Sequence, residues 1–208
     1  MARRNNNSRE PVASAANWRY DIIAIGASAG GLQALTEVLR PLPPDFPGIV
    51  VVQHLDPSHK SHLASLLTRK TDKQVKQAQH GEPILPGIVY IAPPDEHLLV
   101  GPGKIQLAHS QLVHFSRPSI DLLFESVAGM YGSRSIGVVL SGSNRDGAVG
   151  IRAIKEAGGT TVVQDPASAE FRVMPQAAVA TGCVDFVTVI ANLGNVLKEL
   201  CAGNRVQT

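Results

Sequence analysis

The chain has few cysteines, few aromatic residues and little charge of either sign. Its 208 residues include two cysteines, 4% aromatic residues and 17% charged residues, and the formal net charge is only +2. A charge this small argues against nucleic acid or an anionic membrane as the partner. Cys183 and Cys201 both lie in apolar C-terminal surroundings. We therefore interpret them as reduced core thiols rather than as a disulfide or a metal site.

Long apolar runs are also missing from the chain. The first eight residues contain no apolar core of a secretory signal, and no later apolar run approaches the length of a membrane span. Residues 1–18 are polar and aperiodic, which predicts a disordered N-terminal arm. The 44% of apolar residues suffice for one full core. We therefore expect a cytoplasmic enzyme with one folded domain over residues 19–203.

Short apolar runs alternate with segments of helical periodicity. Residues 22–25 and 49–53 have the pattern of buried strands, and each is followed by a helical pattern; the alternation resumes after residue 135. Consecutive β-then-α units require parallel strands joined by crossover helices. The pattern predicts a doubly wound α/β fold, with a mostly parallel sheet and helices on both faces.

The middle of the chain has a different pattern. Short apolar runs between residues 87 and 107 are separated by two proline-rich or glycine-rich turns, which predicts a short antiparallel β insertion or edge ribbon. Helical periodicity returns after Ser119, a predicted N-cap, and Asp121 falls in the first turn, where the helix dipole favours a carboxylate.

Three polar residues, Ser28, His54 and Asp146, each follow the end of a predicted strand. Loops at the carboxyl ends of parallel strands share one edge of the sheet, so residues distant in sequence can meet there. Serine, histidine and aspartate at such an edge are the components of nucleophilic acyl transfer.

Ser28 lies in a turn with glycines on both sides, Gly26-Ala27-Ser28-Ala29-Gly30-Gly31. Such a turn permits strained backbone angles and projects the central side chain above the sheet, as in a nucleophile elbow. The alternative is a phosphate cradle in a nucleotide-binding α/β module. The dinucleotide pattern, however, requires glycine at the position of Ser28 and an acidic residue at the end of the second strand.

The second strand ends instead in Gln53-His54, which makes His54 the candidate base. His59 and His62 fall nearby on a polar helix start, but no obvious set of further ligands accompanies them. We expect neither a metal nor a cofactor. Asp146 is the candidate that orients His54, holding the Nδ1–H so that Nε2 accepts the serine proton. Backbone N–H groups of its loop are candidates for an oxyanion hole.

Several motifs together resemble the catalytic domain of the chemotaxis methylesterases, the CheB family. The resemblance runs in order from about residue 21 to about residue 200. It rests on the turn of residues 26–31 and on Gln53-His54, Arg117-Pro118-Ser119-Ile120-Asp121-Leu122-Leu123-Phe124, Asp146-Gly147-Ala148, Gly150, Gln164-Asp165 and Met174-Pro175-Gln176-Ala177-Ala178.

This resemblance implies a serine hydrolase that demethylates glutamate γ-methyl esters on chemoreceptor signalling helices in chemotaxis adaptation, with glutamine deamidation as a second activity. It implies Ser28 as nucleophile, His54 as base and Asp146 as the orienting acid. Its partners would be methylated receptor helices or related cytoplasmic domains of membrane receptors, with no nucleic acid and no membrane insertion.

The chain departs from the family pattern near these residues. Ser143 stands where the family usually has the methionine whose backbone N–H is assigned to the oxyanion hole, Asn144 replaces a glycine and Ala29 replaces a threonine. Ser143 is thus the oxyanion-hole candidate. The N-terminal arm is too short for the receiver domain that typical members carry. A catalytically weakened CheB-like module for protein binding stays open as an alternative.

Overall fold

The computed structural model describes residues 18–54, 61–113 and 116–206. The arm predicted over residues 1–18 lies outside the described residues except for its last position. In the described ranges, none of the helices is long and apolar enough to cross a membrane.

A seven-stranded sheet forms the centre of the molecule, and every neighbouring pair of its strands is parallel. Its strands are β1 (Ile22–Ala27), β2 (Gly48–Gln53), β3 (Gln74–Gln77), β4 (Ile88–Ile91), β7 (Ser135–Val139), β8 (Thr160–Gln164) and β9 (Phe186–Thr188). The strand order is β3-β4-β2-β1-β7-β8-β9, so β1 is central, with β2, β3 and β4 on one side of it and β7, β8 and β9 on the other. The predicted doubly wound fold is confirmed.

Two layers of helices cover the sheet. The helices are α1 (Gly31–Leu39), α2 (Leu63–Thr71), α3 (Ile120–Tyr131), α4 (Ala148–Glu156), α5 (Val173–Val179) and α6 (Ile190–Cys201). Side chains of β1 alternate between the layers: Ile23 and Ile25 pack in the core beneath α1, α2 and α6, while Ile22 and Ala24 pack in the core beneath α3, α4 and α5. The alternation follows from the two-residue period of a strand. Because both faces are buried, β1 reads as a continuous apolar run.

The middle of the chain departs in part from the sequence-based prediction. Two strands, β5 (His97–Gly101) and β6 (Lys104–Ala108), form the expected antiparallel ribbon, which is a separate two-stranded sheet. The first part of the predicted insertion, however, is β4, which joins the main sheet parallel to β2 and β3. Residues Tyr90 and Ile91 are almost fully buried there. A short apolar run reads alike in either arrangement, and only packing in the sheet decides between them.

The two cysteines are free and lie on opposite faces of the sheet. Cys201 is buried in the core beneath α6, where burial raises the pKa of its thiol to about 12. Cys183 is only half-buried, at the edge of the other core. The prediction of free thiols is therefore confirmed, but the prediction of a core position holds fully only for Cys201.

Candidate active site

Three adjacent strands place the loops that carry Ser28, His54 and Asp146 at one edge of the sheet. β1 lies between β2 and β7, and the three loops leave the carboxyl ends of these strands. Hydrogen bonds join the loops directly: the Ser28 N–H donates to the carbonyl of Ser141 (3.0 Å), and the His54 N–H donates to the carbonyl of Ala27 (3.1 Å). Residues far apart in the chain thus meet because parallel strands align their ends.

The turn around Ser28 leads straight into a helix. The Gly31 N–H donates to the Ser28 carbonyl (2.9 Å), and Gly30, the N-cap of α1, has a φ of +74°. The left-handed conformation, which glycine adopts without steric cost, therefore falls on Gly30. In the described ranges, the residues other than glycine with positive φ are Asp72 and Asp95, so Ser28 itself does not have a left-handed backbone conformation.

Gln53 links the candidate nucleophile to the candidate base. Its Nε2 donates to the carbonyls of Ser28 (2.6 Å) and His54 (3.0 Å). Its Oε1 is buried without a hydrogen-bond partner among the described residues. A Cβ on Gly31 would lie 1.8 Å from this oxygen, so glycine is required for α1 to start so close to Gln53.

His54 and Asp146 form a direct hydrogen bond. His54 Nε2 lies 2.9 Å from Asp146 Oδ2, and the side chains are 14% and 0% exposed. The pairing of the two residues agrees with the sequence-based prediction, but the predicted ring atom is wrong. Nε2 faces the aspartate, so Nδ1 is the nitrogen that remains for a second partner. Strand ends bring the residues together, while the rotamer of His54 decides which nitrogen points where.

That second partner is Asn144, which the sequence-based reasoning did not assign to the site except as a change in the turn. Asn144 Nδ2 lies 3.2 Å from His54 Nδ1, and Asn144 Oδ1 accepts a hydrogen bond from the Asp146 N–H (3.2 Å). The asparagine side chain therefore bridges the base and the backbone of its acidic partner.

Asp146 is held by the start of α3 as well as by His54. Its Oδ2 accepts from the Ile120 N–H (2.8 Å), and its Oδ1 accepts from the Asp121 N–H (2.9 Å) and the Ser119 hydroxyl (3.2 Å). Burial by itself would raise the pKa of this carboxyl. The hydrogen bonds from His54 and the two backbone N–H groups outweigh burial and hold the pKa of Asp146 below its usual value.

Asp121 makes the reciprocal contacts with the start of α4. Its Oδ1 accepts from the N–H groups of Gly147 (2.9 Å) and Gly150 (2.7 Å). Burial and then the nearby charge of Asp146 raise the pKa of Asp121 to about 6, although the two backbone hydrogen bonds act in the opposite direction. Asp146 thus binds the N-terminus of α3, the helix that carries Asp121, while Asp121 binds the N-terminus of α4, the helix that follows Asp146. The pKa values of the two carboxyls are shifted in opposite directions.

Ser28 and His54 line the same cavity. It has a volume of about 680 Å³, and charged side chains also line it: Glu37 on α1, Arg40 at the C-terminal end of α1, and Lys70 on α2. The serine hydroxyl forms no hydrogen bond within the part of the chain that the structure describes. The cavity is therefore open to a substrate beside both residues.

Ser143 is exposed on the loop between β7 and α4. Its backbone N–H donates no hydrogen bond among the described residues, so it is available to a ligand. The flanking loop is well anchored, because the Gly142 N–H donates to the Phe171 carbonyl (2.9 Å) and the Gly142 carbonyl accepts from the Met174 N–H (3.0 Å). A Cβ on Gly142 would lie 2.6 Å from the sulfur of Met174.

Of the two histidines considered for a metal site, the structure describes His62, which precedes α2; His59 lies outside the described residues. Within the described ranges, no group of three or more histidine, cysteine, aspartate or glutamate residues has an arrangement that could hold a metal ion.

Sequence reasoning missed two further contributors to the site. Gln53 was visible only as the neighbour of His54, and Asp121 only as a residue suited to a helix start. A residue pattern contains no signal for the hydrogen bond between Gln53 and the Ser28 carbonyl or for those between Asp121 and α4, because these partners are 25, 26 and 29 residues apart in the chain.

Known proteins resemble this chain over most of its length. A family model described as CheB methylesterase matches residues 23–197. A protein-glutamate methylesterase/protein-glutamine glutaminase 2 of Anaeromyxobacter dehalogenans is 43% identical over 198 residues, which cover 95% of this chain and 58% of that protein. A putative protein-glutamate methylesterase/protein-glutamine glutaminase of Leptospira interrogans is 40% identical, with 90% of this chain and 98% of that protein covered.

The crystal structure of the Thermotoga maritima CheB methylesterase catalytic domain has the same fold. It matches with a TM-score of 0.83 at 35% identity and covers 87% of this chain and 98% of that domain. The chain thus spans little more than half of the Anaeromyxobacter relative but nearly the whole of the Leptospira relative and of the solved domain.

Proposed function

The chain belongs to the CheB methylesterase family, and from this premise we propose that it hydrolyses γ-methyl esters of glutamate residues on the cytoplasmic signalling helices of chemoreceptors. The names of its relatives pair this reaction with protein-glutamine deamidation, and we propose the same second activity here. Both reactions are acyl transfers from the same γ-carbonyl, with methanol or ammonia as the leaving group. The proposed role assigns the protein to the cytoplasm.

The proposal depends above all on the hydrogen bond between His54 and a fully buried carboxylate, Asp146, beside a cavity that Ser28 also lines. Asp146 has a lowered pKa, so it is ionised at neutral pH and stabilises positive charge on the imidazole. A base oriented in this way is what activation of a serine hydroxyl requires.

We propose that acylation begins when the Ser28 Oγ attacks the γ-carbonyl carbon of the methyl ester. The serine proton passes to Nδ1 of His54, while Nε2 keeps its hydrogen bond to Asp146. The tetrahedral intermediate then collapses, and the bond to the methoxy oxygen breaks. Nδ1–H returns the proton to that oxygen, so methanol leaves and a glutamyl ester of Ser28 remains.

Deacylation repeats these steps with water as the nucleophile. Nδ1 accepts a proton from water, and the hydroxyl oxygen attacks the acyl carbon. The bond between this carbon and Ser28 Oγ then breaks, and Nδ1–H returns the proton to Oγ. The products are glutamate and the free enzyme. We propose the Ser143 backbone N–H as a donor to the oxyanion in both halves, because it is exposed on an anchored loop at this sheet edge.

The decisive experiment measures methanol release from a methylated cytoplasmic fragment of a chemoreceptor. Ser28→Ala removes the nucleophile, so turnover should fall by at least about 10³ with the unfolding midpoint unchanged. Ser133→Ala is the matched control, since Ser133 is exposed at the opposite edge of the sheet, just before β7. The control should keep wild-type turnover.

Retained turnover in Ser28→Ala would overturn the assignment of the nucleophile. Binding of the receptor fragment without methanol release from the wild-type protein would instead indicate the protein-binding module left open by the sequence. A separate assay of ammonia release from glutamine residues of the unmethylated fragment tests the second activity, and Ser28→Ala should abolish it too.

A further inference from the structure

We propose that Asn144 is a positioning residue that holds His54 in the tautomer with an unprotonated Nδ1 and so keeps this nitrogen ready to accept a proton. The catalytic part of this proposal rests on the proposed function, whereas the tautomer itself does not. The observation behind it is a closed ring of three hydrogen bonds through His54, Asn144 and Asp146.

The direction of every bond in the ring follows from one donor. The backbone N–H of Asp146 can only donate, so the Asn144 atom 3.2 Å from it is the carbonyl oxygen Oδ1. The other atom of the amide, Nδ2, can only donate and faces His54 Nδ1 at 3.2 Å. Nδ1 therefore accepts and carries no proton, and Nε2–H donates to the Asp146 carboxylate at 2.9 Å.

Protonation of His54 would break this cycle of three hydrogen bonds. The imidazolium carries a proton on each nitrogen, so Nδ1–H would face the N–H groups of the Asn144 amide. Rotation of the amide by 180° would relieve that contact but would turn the same N–H groups toward the Asp146 N–H. Each protonated arrangement loses a hydrogen bond that the neutral one has. The hydrogen bond from Asn144 Nδ2 therefore requires an unprotonated Nδ1.

Among the charged groups around the imidazole, Asp146 selects the same tautomer as Asn144, because its carboxylate accepts a hydrogen bond from Nε2–H. The Asp121 N–H donates to the other oxygen of that carboxylate, Asp146 Oδ1. Glu37, Arg40 and Lys70 line the same cavity, and in the described part of the chain none of them hydrogen-bonds to the ring. The described partner of Nδ1 is Asn144.

The bond at Nδ1 is also the one that can be exchanged. It joins two neutral groups, whereas the bond at Nε2 goes to a carboxylate, and charge-assisted hydrogen bonds are roughly twice as strong. The Ser28 hydroxyl can therefore replace the amide at Nδ1 while Asp146 keeps the ring in place. Until the serine hydroxyl donates to Nδ1, the Asn144 amide donates there and so preserves both the tautomer and the orientation of the imidazole.

Two substitutions separate this role from a structural one. Asn144→Asp keeps an oxygen for the Asp146 N–H and has the same size, but it presents a carboxylate to Nδ1 and should place a proton there. Asn144→Ala removes both contacts. If Asn144 served only to close the turn, Asn144→Asp would resemble the wild type and Asn144→Ala would be the impaired variant. A positioning role makes Asn144→Asp the more impaired of the two.

The first readout is the ¹⁵N NMR spectrum of the imidazole, with the His54 signals assigned by their loss in His54→Gln. The wild-type protein should show an unprotonated Nδ1 and a protonated Nε2 at neutral pH. Asn144→Asp should show a protonated Nδ1. A wild-type proton on Nδ1 would overturn the proposal whether or not the variants fold.

The second readout is the pH profile of kcat/KM for methanol release. The acid limb should move to higher pH by about one unit or more in Asn144→Asp, since a carboxylate against the ring favours its charged form. It should move by less in Asn144→Ala. Identical acid limbs in all three proteins would overturn the positioning role. If the wild type releases no methanol at all, the proposed function fails while the NMR spectrum still decides the tautomer.

Discussion

The two sides of the candidate site are built in different ways. The Ser28 loop (residues 27–31) is shaped by backbone hydrogen bonds, a left-handed Gly30 and the close approach of Gly31 to Gln53. The Asp146 loop (residues 141–147) is anchored by backbone hydrogen bonds at Gly142, and in addition the Asp146 side chain binds the start of α3 and His54. The conformation of the Ser28 loop therefore depends on the small size of its glycines. The conformation of the Asp146 loop depends on the charge of the carboxylate and on the direction of its hydrogen bonds.

This difference predicts different consequences for the same kind of substitution. The Ser28 hydroxyl makes no hydrogen bond in the described residues, so its removal should change the chemistry and leave the fold. The Asp146 carboxylate accepts hydrogen bonds from two backbone N–H groups of α3, so its loss should affect both activity and stability. Four substitutions test this contrast, in decreasing order of the change expected in activity.

Asp146→Asn should have the largest effect. The amide can no longer control the proton on His54 Nε2, so kcat should fall by up to about 10⁴, as in other triads. The variant should also lose about 1–3 kcal/mol in the free energy of unfolding at neutral pH, since hydrogen bonds from α3 to a buried carboxylate are lost or inverted. Methanol-release assays measure the change in kcat, and urea denaturation measures the change in the free energy of unfolding.

The stability loss should depend on pH in a defined direction. Asp146 has a folded-state pKa below its unfolded one, so its contribution is present at neutral pH and disappears as the pH falls below the ordinary carboxyl range. Asp45→Asn, at an exposed carboxylate, is the control and should change neither quantity. A fully active Asp146→Asn would argue for a different base.

Ser143→Pro tests the oxyanion donor on the Asp146 loop. Proline has no N–H, so kcat should fall by about 10² to 10³, the range for loss of one oxyanion donor. Ser143→Ala keeps the N–H and should stay near wild type in the same methanol assay. If Ser143→Ala loses as much as Ser143→Pro, the hydroxyl participates and the backbone assignment is wrong.

Gly31→Ala tests the dependence of the Ser28 loop on space. The added Cβ would lie 1.8 Å from Gln53 Oε1, so either Gln53 or the start of α1 must move. Because Gln53 also binds the Ser28 carbonyl, kcat/KM should fall by about 10², the cost of a displacement near 1 Å.

Gly129→Ala is the matched helix control for this variant. A Cβ on Gly129 meets no described atom within 4 Å, so this change should be neutral or slightly stabilising. If Gly31→Ala keeps the wild-type kcat/KM, the Ser28 loop accommodates a Cβ at position 31, and the proposed dependence on this glycine is wrong.

Asp121→Asn should have the smallest effect on activity and a pH-dependent effect on stability. Both backbone N–H groups bind Oδ1, so asparagine can keep these bonds. The folded-state pKa of Asp121 is raised to about 6 from 3.8, so the wild type loses stability as the pH rises between these values. Relative to the wild type, the variant should gain at most about 3 kcal/mol from pH 4 to pH 7.

Urea denaturation at a series of pH values checks this prediction. The difference between the variant and the wild type should be constant above about pH 7, where Asp121 is ionised in both the folded and unfolded states. A difference that does not vary with pH, or one that favours the wild type as the pH rises, would contradict the raised pKa.

Much of the fold was predictable because its signals are local. The strands β1 and β2, the helix after Ser28 and the N-cap at Ser119 all follow from apolar periodicity and capping residues. The position of β4 was not predictable, because Ile88–Ile91 has the same apolar pattern in a ribbon as in a parallel sheet. Its neighbours in the sheet, rather than its own residues, decide the arrangement.

The candidate site divides in the same way. Apolar runs in the sequence were enough to predict that Ser28, His54 and Asp146 follow strand ends, and parallel strands bring such ends to one edge. The folded arrangement was needed to show that Nε2 faces Asp146, that Asn144 binds Nδ1, and that Asp121 and Asp146 have opposite pKa shifts. Hydrogen-bond direction and burial depend on side-chain rotamers and on neighbours from distant segments, which no local pattern of residues specifies.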